Sequence, residues 1–419
     1  MRDTTSGSSA SRPLGPPEDE SRESAAPAGQ APRPGPLLAT YWARYWYLLV
    51  LGCWTLAWFV HFAPDGGMAW HFFASGSALL FGGAASPGAP PGGLDLYAND
   101  PQLQIGPLAF AIAQVLRHIG PHQGVFAAEA VLTLAGLYLV HAVARISLTV
   151  RPDLARRPVA LRLTLLTGGA VFMAGWEGLA TTFAHLDDAA ALVLAVLAIR
   201  AALAGRAVLT GLCIGLATDA KPWALVFLPI VFMLPVRAWG RAAVSMLASV
   251  AAAWLPFAVA DHHTLAALHY TIRNVPASAL RALGVNDPRT PSWDRPAQVL
   301  IGWVLAAAAV WRGRWPAVIL LGVGARIALD PADWGYYTAG VLLGALLWDV
   351  LGTRRPLPVW TVTSFAALTA VHALTSNSAL LGQIRLGLVI AFALVILLGP
   401  AWAAPRPPGA AAVPAPDTR

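Results

Sequence analysis

Long apolar runs decide which class of fold this chain can adopt. They are roughly 15–25 residues long and recur between residues 45 and 403, and a helix of that length crosses the ~30 Å hydrocarbon core of a bilayer. Hydrophobic residues make up 57% of the 419 residues and charged residues only 12%. Soluble domains do not carry that much apolar surface. The sequence therefore predicts an all-α polytopic membrane protein.

The apolar runs divide the chain into three parts. Residues 1–42 are rich in Ser, Pro, Gly and Ala and cannot bury a core, so we expect a disordered tail there. A transmembrane domain should occupy residues 43–404, followed by a short tail at 405–419. Cys53 and Cys213 each lie inside an apolar run, so we expect neither a disulfide nor a metal ligand from them.

The transmembrane domain should contain about twelve spanning helices, the first over Tyr45–Phe62. The others are expected near 122–145, 160–180, 188–204, 206–220, 223–236, 241–259, 297–311, 316–330, 336–351, 358–374 and 386–403.

Arginine marks one face of this predicted domain. If the N-terminus lies inside, the inner connections are the segments 145–162, 204–206, 236–241, 312–315 and 352–357. They hold Arg145, Arg151, Arg156, Arg157, Arg162, Arg206, Arg237, Arg241, Arg312, Arg314, Arg354 and Arg355. Only Asp153 is acidic among them, which is the positive-inside pattern. We therefore expect a multi-pass protein of the plasma membrane with both termini cytoplasmic. The formal net charge of +7 then reports topology, and no nucleic-acid partner is indicated.

The long outer segment Ala63–Leu108 follows the first helix directly. Loops of this length between membrane helices are usually functional. Two short apolar pieces within and after it, Ala69–Phe81 and Gln104–Ile119, are flanked by Gly or Pro, and we expect both to form surface helices on the outer face.

Four residues of this loop are candidates for a site. Asp65 stands in the sequence PDGG at the end of the first helix, where it is either a turn acid or a carboxylate able to take a proton from a hydroxyl. Asp95 in LDLYANDPQ is either a turn residue or a substrate ligand. Tyr97 and Gln104 can hydrogen-bond or stack on a polar ligand.

A second group of ionisable residues stands at later helix ends. His185, Asp187 and Asp188 in FAHLDDAA open an apolar helix, where one Asp would serve as a cap but three ionisable groups exceed that need. A divalent metal is an alternative that matches no specific motif, so no metal or other cofactor is predicted. Lys221 in GLATDAKPW is the only lysine of the chain, and it either snorkels or provides a point charge for a phosphate.

The outer segment 260–296 carries further polar side chains. His262 and Arg273 are suitable ligands for a sugar or a phosphate, although a solvated loop would have the same composition.

These residues, in this order, resemble glycosyltransferase superfamily C, and in particular the bacterial polyprenyl-phosphate-mannose-dependent mannosyltransferases. The resemblance covers roughly residues 45–260. The matching elements are Asp65 after the first helix, then Tyr97, Pro101 and Gly106-Pro107-Leu108 in the outer loop, the segment AHLDD that opens a later helix, and Gly211, Gly215, Ala217, Lys221 and Pro222. The insertion SPGAPPGG and the segment NDPQLQIGP depart from the family's pattern.

The resemblance implies a transferase that moves a hexose, with mannose as the first expectation, from a polyprenyl-phosphate donor to a lipid, glycan or protein acceptor at the outer membrane face. Asp65 would be the general base. Lys221 and Arg273 would hold the lipid phosphate, and His185 with Asp187 or Asp188 would orient the acceptor or the sugar. No cofactor is implied, and membrane lipids are the other expected partners.

Two other functional classes stay open at this point. A lipid or solute transporter or flippase would have internal repeats and polar residues near the bilayer midplane. The chain has no evident repeat, and its polar residues fall at helix ends. A non-catalytic membrane scaffold would need no set of acids and lysine on one face.

The arginine distribution predicts a definite topology. In a chain whose two native cysteines are replaced, Leu154→Cys should react only with a membrane-permeant thiol reagent, whereas Gly92→Cys and Asn286→Cys should also react with an impermeant one. Labelling of position 154 from the outside would contradict the surface assignment of Gln104–Ile119.

Overall fold

The computed structural model describes residues 37–82 and 92–399. These residues form helices joined by turns and loops, and the only strand-like pairing among them is one isolated bridge between Arg273 and Arg289. The all-α prediction is therefore confirmed for the described residues. Of the predicted N-terminal tail, residues 37–42 already belong to the first helix. The rest of that tail, most of the insertion in the outer loop and the predicted C-terminal tail lie outside the described residues.

Sixteen α-helices follow one another through the described part of the chain. They are α1 (Leu37–Phe62), α2 (Trp70–Phe81), α3 (Leu96–Asn99), α4 (Pro107–Arg117), α5 (Pro121–Val150), α6 (Pro152–Ala155), α7 (Pro158–Glu177), α8 (Leu186–Leu203), α9 (Ala207–Ala220), α10 (Val236–Ala260), α11 (Ala279–Ala282), α12 (Asp294–Trp311), α13 (Val318–Leu329), α14 (Thr338–Leu347), α15 (Val359–Leu368) and α16 (Ser378–Leu398). Tighter 3-10 turns include Ala63–Asp65, Pro222–Met233 and His262–His269, and π turns extend α7 over Gly178–Thr182 and α14 over Trp348–Gly352. The chain divides into two units, Met1–Tyr45 and Trp46–Arg419.

Six segments of the described chain are long and apolar enough to cross a membrane, judged by length and composition. They are Tyr45–Asp65, Gln123–Val150, Pro158–Thr182, Val236–Ala260, Gly335–Gly352 and Ser378–Leu398. Shorter apolar helices occupy several of the other predicted spans, among them Ala207–Ala220 and Pro222–Met233. The chain is thus a multi-pass membrane protein by its apolar helices. The count of twelve spans and the orientation stay predictions.

The two predicted surface helices of the outer loop form as α2 and α4. They pack against each other, and Gly76 of α2 faces the ring of Phe110 so closely that a Cβ at this glycine would overlap it. Helix α4 begins at Pro107, where the fixed φ of proline suits a first helical position and its missing N–H costs nothing. Local sequence signals were therefore sufficient to predict that both segments form helices.

Small residues bring α9 and α10 into close contact. A Cβ at Gly211 would overlap the carbonyl oxygen of Ala242, and one at Gly215 would lie 2.6 Å from Cβ of Ser249. Helices in membranes commonly pack through such small residues because their backbones can then approach closely. Across the same contact, the Ser249 hydroxyl donates to Asp219 at 2.7 Å. This hydrogen bond therefore fixes the C-terminal end of α9 at Asp219, two residues before Lys221.

This contact predicts a stability difference between two glycines. Gly211→Ala should lower the free energy of unfolding by ~1–3 kcal/mol, because an added methyl group in a filled interface forces backbone shifts. Gly240→Ala is the matched control: this glycine lies in α10, is exposed and has no atom within 4 Å of an added Cβ. Thermal unfolding of the purified protein in one detergent measures both. Equal melting temperatures for the two variants would contradict the packing argument.

Candidate functional site

An irregular backbone connects α7 to α8 and sets the position of His185. The last turn of α7 is a π turn over Gly178–Thr182. Ala184 then adopts a φ of 49°, the only positive φ at a non-glycine residue in the described chain, although its side chain is fully buried. Such strained backbone costs free energy and concentrates at functional sites. It turns the chain so that His185 stands immediately before α8, with both aspartates in the first helical turn.

Asp187 and Asp188 are buried side by side at this helix start. The helix dipole favours negative charge there, and the backbone N–H of Asp188 donates to Asp187 at 2.8 Å. His185 contacts both carboxylates, with Nδ1 at 2.6 Å from Asp187 Oδ1 and at 3.0 Å from Asp188 Oδ2. Burial opposes charge on the His185 imidazole, but the carboxylates of Asp187 and Asp188 outweigh it and raise its pKa above the ordinary value.

Lys221 reaches the same carboxylates from the end of α9. It precedes Pro222, which excludes helical backbone, and its extended conformation (φ −148°, ψ 116°) ends α9. Its ammonium group forms an ion pair with Asp187 and lies 3.8 Å from Asp188 Oδ2. The only lysine of the chain is therefore paired and half-buried rather than extended toward a membrane surface.

Arg326 of α13 is the third cation. Its Nη1 lies 3.0 Å from Asp188 Oδ1, and its Nε lies 3.7 Å from Asp330. The guanidinium also stacks between two aromatic rings, 4.3 Å from the centre of Trp223 and 4.0 Å from that of Tyr337. The Trp223 indole N–H donates to Asp188 at 2.7 Å.

We define the ion-paired cluster as His185, Asp187, Asp188, Lys221 and Arg326. Asp330 adds a third carboxylate beside it, so cations and anions balance when His185 is protonated. The possible metal-ligand atoms of His185, Asp187 and Asp188 lie within 4.8 Å of one another. The same carboxylates already pair with Lys221 and Arg326. Their negative charge is therefore neutralised by these side chains, which argues against a metal ion here. A cluster of this kind offers fixed charges of both signs to a polar ligand.

The turn that carries Asp65 lies beside the chain leading into this cluster. Three consecutive backbone N–H groups, those of Gly67, Met68 and Ala69, donate to the carbonyl oxygens of residues 181–183 at 2.9–3.0 Å. Asp65 itself is exposed, and the structure gives its carboxylate no hydrogen bond or ion pair within the described residues. From helix α2, the ring of Phe73 meets His185 edge-on, 5.7 Å between centres. The outer loop thus covers one side of the ion-paired cluster.

A second part of the outer loop touches the end of α9. The Gly106 N–H donates to the Ala220 carbonyl at 2.9 Å, directly before Lys221. Gln104 donates to the carbonyl oxygens of Ala267 and Tyr270 and accepts from Arg295 Nη2 at 2.7 Å. Gln104 therefore joins three separate segments, and its role as a substrate ligand stays a prediction.

The other predicted site residues of the outer loop differ in environment. Tyr97 is buried, donates from its hydroxyl to the Ile105 carbonyl at 2.7 Å and packs against Trp254 and Phe257 of α10. Asp95 is half-buried at the start of α3 and has no side-chain partner within the described residues. The contacts of Tyr97 are those of a packing residue, whereas Asp95 is free to meet a ligand.

The predicted residues of the segment 260–296 are exposed. His262 and His263 lie beside Asp261, with His263 Nδ1 at 2.9 Å from that carboxylate and His262 Nδ1 at 3.9 Å. Hydrogen bonds from His263 lower the pKa of the Asp261 carboxyl. The Arg273 side chain has no partner among the described residues. Among the residues that the structure describes, no contact joins His262 or Arg273 to the ion-paired cluster.

Sequence reasoning missed the residues that complete the cluster. Arg326 is the only charged residue of VILLGVGARIAL, and an ionisable residue inside an apolar helix is a functional signal that we did not use. Trp223 and Tyr337 had no comparable signal, because aromatic residues at helix ends are common in membrane proteins. Arg295 lay within a segment treated as a loop.

Comparisons with known proteins give no further guide. No family model, no curated protein and no solved structure matches this chain.

The cluster predicts a large effect for Arg326. Arg326→Met should destabilise the protein by ~3–5 kcal/mol, because it removes one charged partner of the buried Asp188 carboxylate and the ion-pair partner of Asp330 among the described residues. Arg326→Lys should recover only part of the lost stability, since an ammonium group lacks the planar guanidinium that contacts Asp188 and Asp330 at the same time. Thermal unfolding in detergent measures the effect.

The exposed, unpaired Arg273 provides the matched control. Arg273→Met should leave the melting temperature nearly unchanged. If Arg326→Met unfolds at the same temperature as Arg273→Met, the pairing of Asp188 is not a determinant of stability.

Proposed function

We propose that the chain is an integral-membrane glycosyltransferase that transfers a hexose, in the first instance mannose, from a polyprenyl-phosphate donor to a lipid, glycan or protein acceptor at one membrane face. The proposal rests on the resemblance to glycosyltransferase superfamily C and on the chemistry of the residues that carry it.

The observation that supports it best is the attachment of the Asp65 turn to the chain that leads into His185. Three backbone hydrogen bonds fix this turn, while the Asp65 carboxylate stays exposed and unpaired in the described structure. A carboxylate with a fixed backbone and a free head group suits a general base, which has to meet a substrate hydroxyl within hydrogen-bonding distance.

In the proposed reaction, Asp65 accepts the proton of the acceptor hydroxyl. The acceptor oxygen then attacks the anomeric carbon, and the bond from this carbon to the phosphate oxygen breaks with inversion. The leaving lipid phosphate carries the negative charge that develops. Cations fixed near this oxygen would stabilise the transition state more than the ground state.

Three cations are suited to hold that phosphate. Lys221 and Arg326 belong to the ion-paired cluster, where carboxylates fix their positions before substrate arrives. Arg295 donates to the Gln104 amide oxygen and has no carboxylate within 4.0 Å among the described residues. No anion of the described chain therefore pairs with its guanidinium. The predicted role of Arg273 as a phosphate ligand stays part of the proposal. Its side chain is exposed and would have to move toward the donor to bind the phosphate.

The location of the charges argues against the transporter alternative. His185, Asp187 and Asp188 open α8, Lys221 follows the end of α9, and Arg326 lies in the last turn of α13. A transported solute or flipped head group would need binding groups near the bilayer midplane. Charges at helix ends suit a lipid-linked substrate that enters sideways from the membrane.

The test is a transfer assay with purified protein, a panel of polyprenyl-phosphate sugars and a short acceptor glycan. Asp65→Asn should reduce turnover by ~10²–10⁴-fold, because the amide keeps the size and most hydrogen bonds but cannot accept a proton. Asp287→Asn, at an exposed loop acid, is the matched control and should transfer sugar at the parent rate. Melting temperatures of both variants show whether folding has changed.

A folded Asp65→Asn variant with the parent rate would exclude Asp65 as the base and leave Asp95 and Asp187 to be tested. No transfer from any donor by the parent protein would contradict the proposed function itself.

A further inference from the structure

A cavity of about 410 Å³ lies at the opposite ends of the helices that lead to the candidate site. The helical segment Pro158–Thr182 starts at this cavity and ends three residues before His185, and it is ~37 Å long at ~1.5 Å per residue. The segment Gly335–Gly352 also connects the two places, from Tyr337 beside Arg326 to the cavity wall. The cavity is therefore separated from the ion-paired cluster by the length of a membrane-spanning helix.

Two connections far apart in sequence build this cavity together. The connection after α5 and the one after α14 are joined by Arg151, whose Nη1 donates to the carbonyl oxygens of Val350 at 3.2 Å and Thr353 at 2.6 Å. The Thr164 hydroxyl donates to the Pro356 carbonyl at 2.6 Å. The cavity is thus a built feature of the fold and not a gap between two mobile loops.

Its lining carries a surplus of positive charge. Five arginines line it against two aspartates, and they are Arg151, Arg156, Arg157, Arg354 and Arg355. Asp153 already pairs with Arg151 at 2.9 Å, and Asp349 accepts hydrogen bonds from the N–H groups of residues 360 and 361. The four other arginines are exposed and have no side-chain partner within the described residues. Uncompensated guanidinium groups around one cavity are suited to a phosphate group.

Apolar side chains beside the cavity indicate that the phosphate belongs to a lipid. Helices α7 and α15 pack against each other, and each presents an exposed apolar strip close to the cavity. The first two turns of α7 line the cavity, and α15 begins three residues after the lining residue Pro356. On α7 this strip is Val159 and Leu163, four residues apart on one helix face, and on α15 it is Val359 and Val362. A soluble anion would use the arginines alone, whereas acyl chains would also cover these strips.

We propose that this cavity is a binding site for the phosphate head group of an anionic membrane lipid, on the membrane face opposite the candidate site. Arg156, Arg157, Arg354 and Arg355 bind the phosphate, and the acyl chains lie along α7 and α15. Basic pockets between membrane helices recognise anionic lipids in this way. The site is independent of the transferase proposal, because no residue is shared between the two.

The experiment measures lipid retained by the purified full-length protein in an uncharged detergent, by native mass spectrometry. Dioctanoyl phosphatidylglycerol is the probe, dioctanoyl phosphatidylcholine has the same chains without net charge, and glycerol phosphate has the anion without chains. Phosphatidylglycerol should bind at one saturable site, and the other two at least about tenfold more weakly. Equal binding of glycerol phosphate would overturn the lipid as occupant, and equal binding of phosphatidylcholine would overturn the anion site.

Two double variants separate the cavity from the general charge of that face. Arg354→Gln with Arg355→Gln should weaken phosphatidylglycerol binding by about 10- to 30-fold. Arg237→Gln with Arg241→Gln removes the same charge from two exposed arginines at the start of α10, outside the cavity, and should leave binding within about twofold. Equal loss in both would assign the effect to the surface field and overturn the site.

A further measurement on the parent protein guards against misfolding of the cavity variant. Bound phosphatidylglycerol should be displaced by raised salt more readily than bound detergent, because pairs with exposed arginines are screened. Retention that is independent of salt would exclude the arginines as its ligands. The Asp65→Asn variant should bind the lipid like the parent, so that a failed transferase assay leaves this test intact.

Discussion

Two neighbouring carboxylates buried at the start of one helix constrain this protein more than any other feature. Asp187 and Asp188 are almost fully removed from solvent, and two like charges at that distance raise each other's energy strongly. The dipole of α8 offsets a part of this cost only. Cations therefore have to come from elsewhere, and Lys221 at the end of α9 and Arg326 in α13 provide them. The positions of three helices depend on this pairing.

The pairing does not by itself argue for stability. A buried ion pair is often no more stable than an apolar contact of equal volume, because both charges lose their hydration. Here the cost is repeated over three cations and three carboxylates, next to a π turn and a strained Ala184. Unfavourable free-energy terms that are concentrated in one place, without a compensating gain in stability, are typical of functional sites. This is the physical reason to look for a polar ligand at the cluster.

The sequence predicted those parts of the site that follow from local rules. The rarity of charge at the ends of apolar helices pointed to His185, Asp187 and Asp188, and the predicted span 206–220 ends where α9 ends. The helices α2 and α4 also followed from local composition. The partners could not be predicted in the same way. Arg326 lies 138 residues from Asp188 in sequence, and nothing local indicates that their helices meet.

Tyr97 shows a second limit of local sequence rules, because they do not show how a side chain packs in the tertiary structure. An aromatic hydroxyl in a polar loop fits a substrate ligand, and only the tertiary packing of α10 shows that its ring is enclosed and its hydroxyl bonded to Ile105. The count of twelve spanning helices stays a prediction for a related reason. Several apolar runs form helices shorter than a bilayer, such as Ala207–Ala220, and hydropathy alone does not distinguish a short buried helix from a spanning one.

The charges at the two ends of the helix bundle differ in a way that bears on what each end binds. In the ion-paired cluster every cation faces a carboxylate, so its electrostatic field is local and its side chains are fixed before any ligand arrives. Around the arginine-lined cavity the guanidinium groups exceed the carboxylates, and the field extends toward the membrane surface until an anion neutralises it. Preorganised, balanced charge suits a group that stabilises a brief transition state, because no reorganisation is needed at the moment of reaction. Surplus charge suits a resident ligand. In the two proposals made above, the same helix, running from residue 158 to residue 182, connects the end assigned to sugar transfer with the end assigned to lipid binding.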